Sequence, residues 1–309
     1  MALTSSGLGP QAGVRGNMFN MSQHLKGLLI TTLGVLILSP DALLIRLLNA
    51  DTWTVVFWRG LAFSIGTTLI MLLIYRKDTI KQFIKIGKPG LIIGVIFGFS
   101  SLFFTAAIQN TSIANTLVIV STSPAFAALF SWTFLKEKIH IRTVITMIII
   151  FAAIAMIMWN SLKADGFWGD LSAVGTSILI AISFTFTRKH KETNMVPAMA
   201  LSGIISACVA AIIATSTHAA LSLATESIPY LILAGIVVST AFALITLGPR
   251  YITAPEVSLI MPLETVFGSY LGWFFLSEKP ATVTLIGGVI IILTLIMHTW
   301  ISHKSKESL

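Results

Sequence analysis

Few residues of this chain can do charge chemistry away from its polar connections. Glu264, in the stretch APEVSLIMPLETVFGSYLGWFFLSEK, lies about eight residues into an apolar segment. A carboxylate so placed is costly unless it faces a cavity or a partner, so it is a candidate to bind a cationic group or carry an exchangeable proton. Asp41, in SPDALLIR, and Arg59, in WTVVFWRG, fall in consecutive apolar segments, with Arg46 five residues beyond Asp41. An ion pair would lower the burial cost of each partner, and the guanidinium fork of Arg59 also suits a carboxylate on a bound solute. Pro40 removes a helix donor beside Asp41 and frees a carbonyl to line a path. Trp58 can stack on a solute or anchor at the edge of an apolar phase. Asn115, Thr122 and Ser123, just before Pro124, can form the polar wall of a cavity or bond to a neighbouring helix.

Other chemistries find little support. Gly98-Phe99-Ser100-Ser101 is a poor match to a Gly-x-Ser-Gly nucleophile loop, for which His298 would be the base. There is no HExxH site, Walker loop or dinucleotide fingerprint. The six histidines, 24, 140, 190, 218, 298 and 303, all lie near segment ends, so no metal, cofactor or enzyme activity is expected. The net charge of +8 is scattered between apolar segments instead of forming a basic stripe with aromatics, which excludes a nucleic-acid partner. Cys208, the one cysteine, lies in an apolar run and reads as a small core residue.

What must position these residues is a membrane fold. The chain of 309 residues is 55% hydrophobic and 10% charged, where soluble domains carry about a quarter charged residues. Its mean hydropathy is +0.91. Roughly 20 apolar residues cross the hydrocarbon as a helix, and ten such stretches follow one another: 26–46, 53–74, 90–108, 115–135, 142–160, 168–187, 196–217, 229–247, 256–276 and 281–301. An N-terminus in the cytoplasm puts sixteen of the 20 Lys and Arg residues on the cytoplasmic side, so both termini are expected inside. Residues 1–24 are polar and glycine-rich, lack the apolar core of a signal peptide and read as a disordered tail; residues 302–309 form a cytoplasmic tail.

The chain repeats. WTFLKEK at 132–138 returns 141 residues later as WFFLSEK at 273–279, with Glu137 matching Glu278. At an offset of 142, Gly27 matches Gly169 and Arg46 matches Arg188. The units 25–162 and 163–301 each hold five spans, an odd number, so the second copy enters the membrane inverted. The expected fold is an all-α membrane protein of ten transmembrane helices in two inverted five-helix repeats. Glu137 and Glu278 each precede a following helix, whose N-terminus stabilises negative charge, and Glu256 also reads as a helix-start charge. Gly90, Gly94 and Gly98, and in the second half Gly235 and Ser239, have the four-residue spacing of close helix packing.

With these halves, the segments TSIANTLVIVSTSPAFAALFSWTFLKEK and APEVSLIMPLETVFGSYLGWFFLSEK resemble the drug/metabolite transporter superfamily, in particular its EamA-type ten-helix members, over residues 25–301. Those proteins usually carry a proline after the Leu-Glu of the second segment. Here the place is taken by Thr265, with Pro262 three residues earlier as a replacement kink. The resemblance implies export of small metabolites such as amino acids across the cell inner membrane by alternating access. The expected cavity is lined by spans 1, 2, 4 and 9 and the equivalents 6 and 7, with a proton as the coupling candidate and the lipid bilayer as surroundings. A lipid-linked carrier flippase is the alternative, a passive channel a further rival, and an intramembrane serine protease the weakest.

Overall fold

The computed structural model describes residues 23–135, 141–162, 166–190, 192–217, 220–252, 257 and 260–307. Among these residues there are helices and connections and no strand. The first half holds α1 (Gln23–Leu38), α2 (Asp41–Leu47), α3 (Thr52–Tyr75), α4 (Thr79–Lys85), α5 (Gly87–Asn110), α6 (Ile113–Val120), α7 (Ser123–Leu135) and α8 (Ile141–Leu162). The second holds α9 (Phe167–Lys189), α10 (Val196–Thr217), α11 (Ile228–Leu247), α12 (Pro262–Leu276) and α13 (Thr282–Glu307). Among the described residues, seven helical stretches are long and apolar enough to cross a membrane, and Val144–Asn160 and Thr282–Met297 are shorter apolar helices.

Prolines decide where the helices break. Pro40 has no N–H for the carbonyl of Leu36, so the amide of Ser39 reaches both Val35 O (3.1 Å) and Leu36 O (3.3 Å), and α2 restarts at Asp41. Between α6 and α7, ahead of Pro124, the hydroxyl of Thr122 donates to Ile119 O at 2.6 Å. In the second half α12 starts at Pro262. Thr265, two residues beyond Leu263, instead ties α12 to α6 by donating to Leu117 O at 3.0 Å.

The halves interleave: α3 packs on α10 and α11, α5 on α9 and α10, α1 on α11 and α6 on α12. Small residues set these crossings. A Cβ on Gly60 would lie 2.7 Å from Gly203 O, and one on Gly203 would lie 2.5 Å from Gly60 O, so α3 and α10 touch backbone to backbone. Gly94 and Gly98 face Ala198 and Ser202 of α10, Gly235 faces Ala62 of α3, and Ser239 donates to Phe63 O at 3.1 Å. At Gly90 the nearest atoms to an added Cβ belong to Ile86, just before the start of the same helix.

Cys208 corrects a reading of the sequence: its side chain is exposed. Helices surrounded by lipid are apolar on every side, so an apolar run does not tell core from periphery. The same physics leaves Leu73, Trp159 and Ile212 exposed.

Candidate functional site

A small cavity lies where the halves meet, with about 40 Å³ for the centres of water molecules, room for roughly three waters. Three charged residues line it: Asp41 at the start of α2, Arg59 in α3 and Glu264 in the first turn of α12. All three are buried. The Nε of Arg59 donates to Oδ1 of Asp41 at 3.3 Å and its Nη2 to Oδ2 at 2.5 Å, while Nη1 donates to the Ser101 hydroxyl at 2.8 Å. The Phe104 ring lies 5.8 Å from the guanidinium carbon, and Phe63, Phe97 and Phe242 complete an apolar wall. Asp41 and Arg59 cancel one another. Among the described residues the Glu264 carboxylate has no hydrogen-bond partner. The cavity therefore presents one carboxyl group with no ion-pair partner and one guanidinium whose carboxylate-binding edge is already occupied.

The lining differs from the expected spans. Phe97, Ser100, Ser101 and Phe104 of α5 and Val238 and Phe242 of α11 contribute, alongside Thr176 and Ile180 of α9, whereas α10 supplies none. The two serines of the poor nucleophile match thus face the cavity, one of them holding Arg59; the side chain of His298 lies outside the described residues, as do Glu137 and Glu256.

The remaining residues singled out in the sequence lie elsewhere. Trp58 donates its indole N–H to Leu221 O at 2.9 Å and does not line the cavity. Thr122 contacts the Ser177 hydroxyl at 3.1 Å, and Ser123 is buried beside it. Asn115 belongs to a second polar cluster. Its Nδ2 donates to Oδ1 of Asp170 at 3.3 Å, its Oδ1 accepts from the Thr284 hydroxyl, and the Thr111 hydroxyl donates to Asp170 at 2.7 Å. Asp170, wholly buried, was not among the residues the sequence pointed to; its signal is a carboxylate four residues into an apolar helix, close enough to the helix start to pass for a boundary charge.

Glu278 also departs from expectation. The left-handed Ser277 (φ 57°) turns the chain after α12, so Glu278 accepts from Nη2 of Arg46 at 3.1 Å and from the backbone N of Ile113 at 3.1 Å. It serves the N-terminus of α6, in the other half, and not the helix that follows it.

Against known proteins, the profile of the EamA-like transporter family matches residues 25–159 and again residues 167–300. The chain belongs to that family. It is 25% identical over 248 residues to the pseudopaline exporter CntI of Pseudomonas aeruginosa (strain UCBPP-PA14), covering 78% of this chain and 84% of the exporter. It is 28% identical over 138 residues to solute carrier family 35 member G1 of Mus musculus, 39% of this chain and 36% of that protein. A solved crystal structure shares the fold with a TM-score of 0.65 and 15% identity, over 90% of this chain and 98% of its own. The chain is accordingly a multi-pass membrane transporter of a small molecule.

Proposed function

We propose that this EamA-family chain crosses the cytoplasmic membrane ten times, with both termini inside, and exports amino-acid-like metabolites by alternating access without ATP. The two repeats are inserted in opposite senses and rock about the cavity between them. The observation that carries this reading is the meeting of Asp41 and Arg59 from the first repeat with Glu264 from the second around one buried space. Glu264 takes the cationic group of the solute, or a coupling proton when the site is empty. Arg59 takes the carboxylate, which must displace Asp41 from the guanidinium edge. With room for only a few waters, the cavity admits a solute after the surrounding helices part. Similarity to an exporter of pseudopaline supports export as the direction of transport.

The test is uptake of a panel of radiolabelled amino acids into proteoliposomes, with and without a proton gradient, for the wild type and Glu264→Gln. Saturable flux that the gradient stimulates and the substitution uncouples is the expected result. Flux indifferent to both returns Glu264 to a structural role. No flux of any soluble compound moves the cargo to lipid-linked molecules, a second reading favoured by the apolar groove of about 270 Å³ lined by Val118, Tyr270, Trp273, Leu285 and Val289.

A further inference from the structure

We infer that Arg46 and Glu278, clasped on the turn between α5 and α6, form the gate that separates the central cavity from a polar vestibule at one end of the molecule. The inference rests on the transporter reading above.

Three helices each carry one residue of the cavity and lead to the clasp. α2 has Asp41 at the cavity and Arg46 five residues on, about 7 Å farther at 1.5 Å per residue. α6 has Val120 at the cavity and Ile113 at the clasp, about 10 Å apart by the same rise. α12 has Glu264 at the cavity, and the left-handed Ser277 at its end delivers Glu278. Beyond the clasp lies a vestibule of about 380 Å³ lined by Arg46, Gln109, Thr111, Asn115, Asn160 and Lys279. A solute passing between vestibule and cavity along these helices meets the clasp.

The clasp holds the two halves together through backbone groups as well as charge. Nη2 of Arg46 donates to Thr111 O at 2.6 Å and to Glu278 at 3.1 Å, and Glu278 also accepts from Ile113 N. The turn itself is anchored to the second half by the buried bonds of Thr111 and Asn115 to Asp170. It is therefore the fixed post, and the ion pair the movable part. Exposure separates this pair from its neighbour: the side chains of Arg46 and Glu278 are 26% and 24% exposed, against 4% and 1% for Arg59 and Asp41. Water can replace the first contact as it breaks, which a reversible gate requires, whereas opening the second strands two charges in an apolar interior.

The test is thiol accessibility of the cavity. In a Cys208→Ala background, Val120→Cys is labelled with a membrane-impermeant methanethiosulfonate in vesicles of either orientation. Glu278→Gln and Arg46→Gln are expected to raise the labelling rate from the vestibule face by about fivefold, as befits a part-exposed pair, and not from the opposite face. Arg46→Lys, which keeps the charge but loses the fork that holds Thr111 O and Glu278 together, gives a smaller rise. Labelling unchanged in both Gln variants, while the parent is labelled from one face only, overturns the gate and leaves the transporter reading intact. A rise from both faces signals loss of the fold and overturns it too. A parent labelled from both faces, with both Gln variants unchanged, overturns the gate likewise, since a carrier that alternates exposes its cavity to each side in turn, whereas a cavity labelled from neither face in any variant overturns the alternating-access reading itself.

Discussion

Arg59 and Asp41, eighteen residues apart, meet through two prongs, Nη2 to Oδ2 at 2.5 Å and Nε to Oδ1 at 3.3 Å, both side chains almost wholly enclosed. Removing one member leaves a bare charge in an apolar interior, at a cost of about 3–5 kcal/mol, whereas removing both leaves none. Asp41→Ala and Arg59→Ala are each expected to lower the unfolding midpoint in detergent sharply, and Asp41→Leu/Arg59→Leu to lower it less than either. Equal or additive losses would show that the two charges do not depend on each other.

Asp170 is the hub that binds the start of α9 to the α5–α6 turn. Asp170→Ala removes the buried acceptor of the Thr111 hydroxyl and one acceptor of the Asn115 amide, and a buried donor left unpaired costs about 1–3 kcal/mol. The variant is expected to express poorly and melt early, with Asp170→Asn between it and the wild type. A melting curve in detergent checks this, and an unchanged midpoint for Asp170→Ala would contradict it.

Backbone contact between α3 and α10 gives a third expectation. Gly203→Ala drives a methyl to 2.5 Å from Gly60 O, an overpacking that costs about 1–3 kcal/mol, while Gly175→Ala meets only the Phe103 ring at an ordinary 3.4 Å. Side-by-side thermal melts should separate the two alanines clearly. Equal stability would mean that the helix pair shifts apart at little cost.

Asp51 lies outside the membrane-spanning segments and caps α3, accepting from the backbone N of Trp53 at 3.0 Å and of Thr54 at 3.1 Å and from the Thr54 hydroxyl. Partial burial pushes its carboxyl up, but these hydrogen bonds outweigh that push and hold it below its usual 3.8. A carboxyl depressed in the folded state stabilises fully above its unfolded pKa and loses that contribution as pH falls through the folded value. Asp51→Ala is expected to cost about 1 kcal/mol near neutral pH. The gap from wild type should close as the medium becomes more acidic than about pH 4, measured by melts across pH. A gap that stays constant with pH would leave the cap without a charge component.

Much of this molecule is legible in the sequence because lipid imposes a simple rule. Backbone polar groups must be satisfied inside each segment, so long apolar runs are helices, and a proline at 40, 124 or 262 must interrupt one. The same rule makes buried charges conspicuous: Asp41, Arg59 and Glu264 stand out against their apolar neighbours, and they do line one cavity. Lipid also erases the polar-outside signal, which is why Cys208 reads as core in the sequence yet is exposed in the fold.

Family membership, the repeat and the identity of the three cavity charges were determined by the sequence alone, since each depends on residue types and local spacing. Tertiary structure decided the partnerships. Ser101 on Arg59, Asp170 beneath Thr111, and Glu278 on Arg46 join residues 42, 59 and 232 positions apart. No periodicity encodes such contacts, because they depend on how α2, α5, α6, α9 and α12 cross, and those crossings are set by backbone-to-backbone packing between the halves.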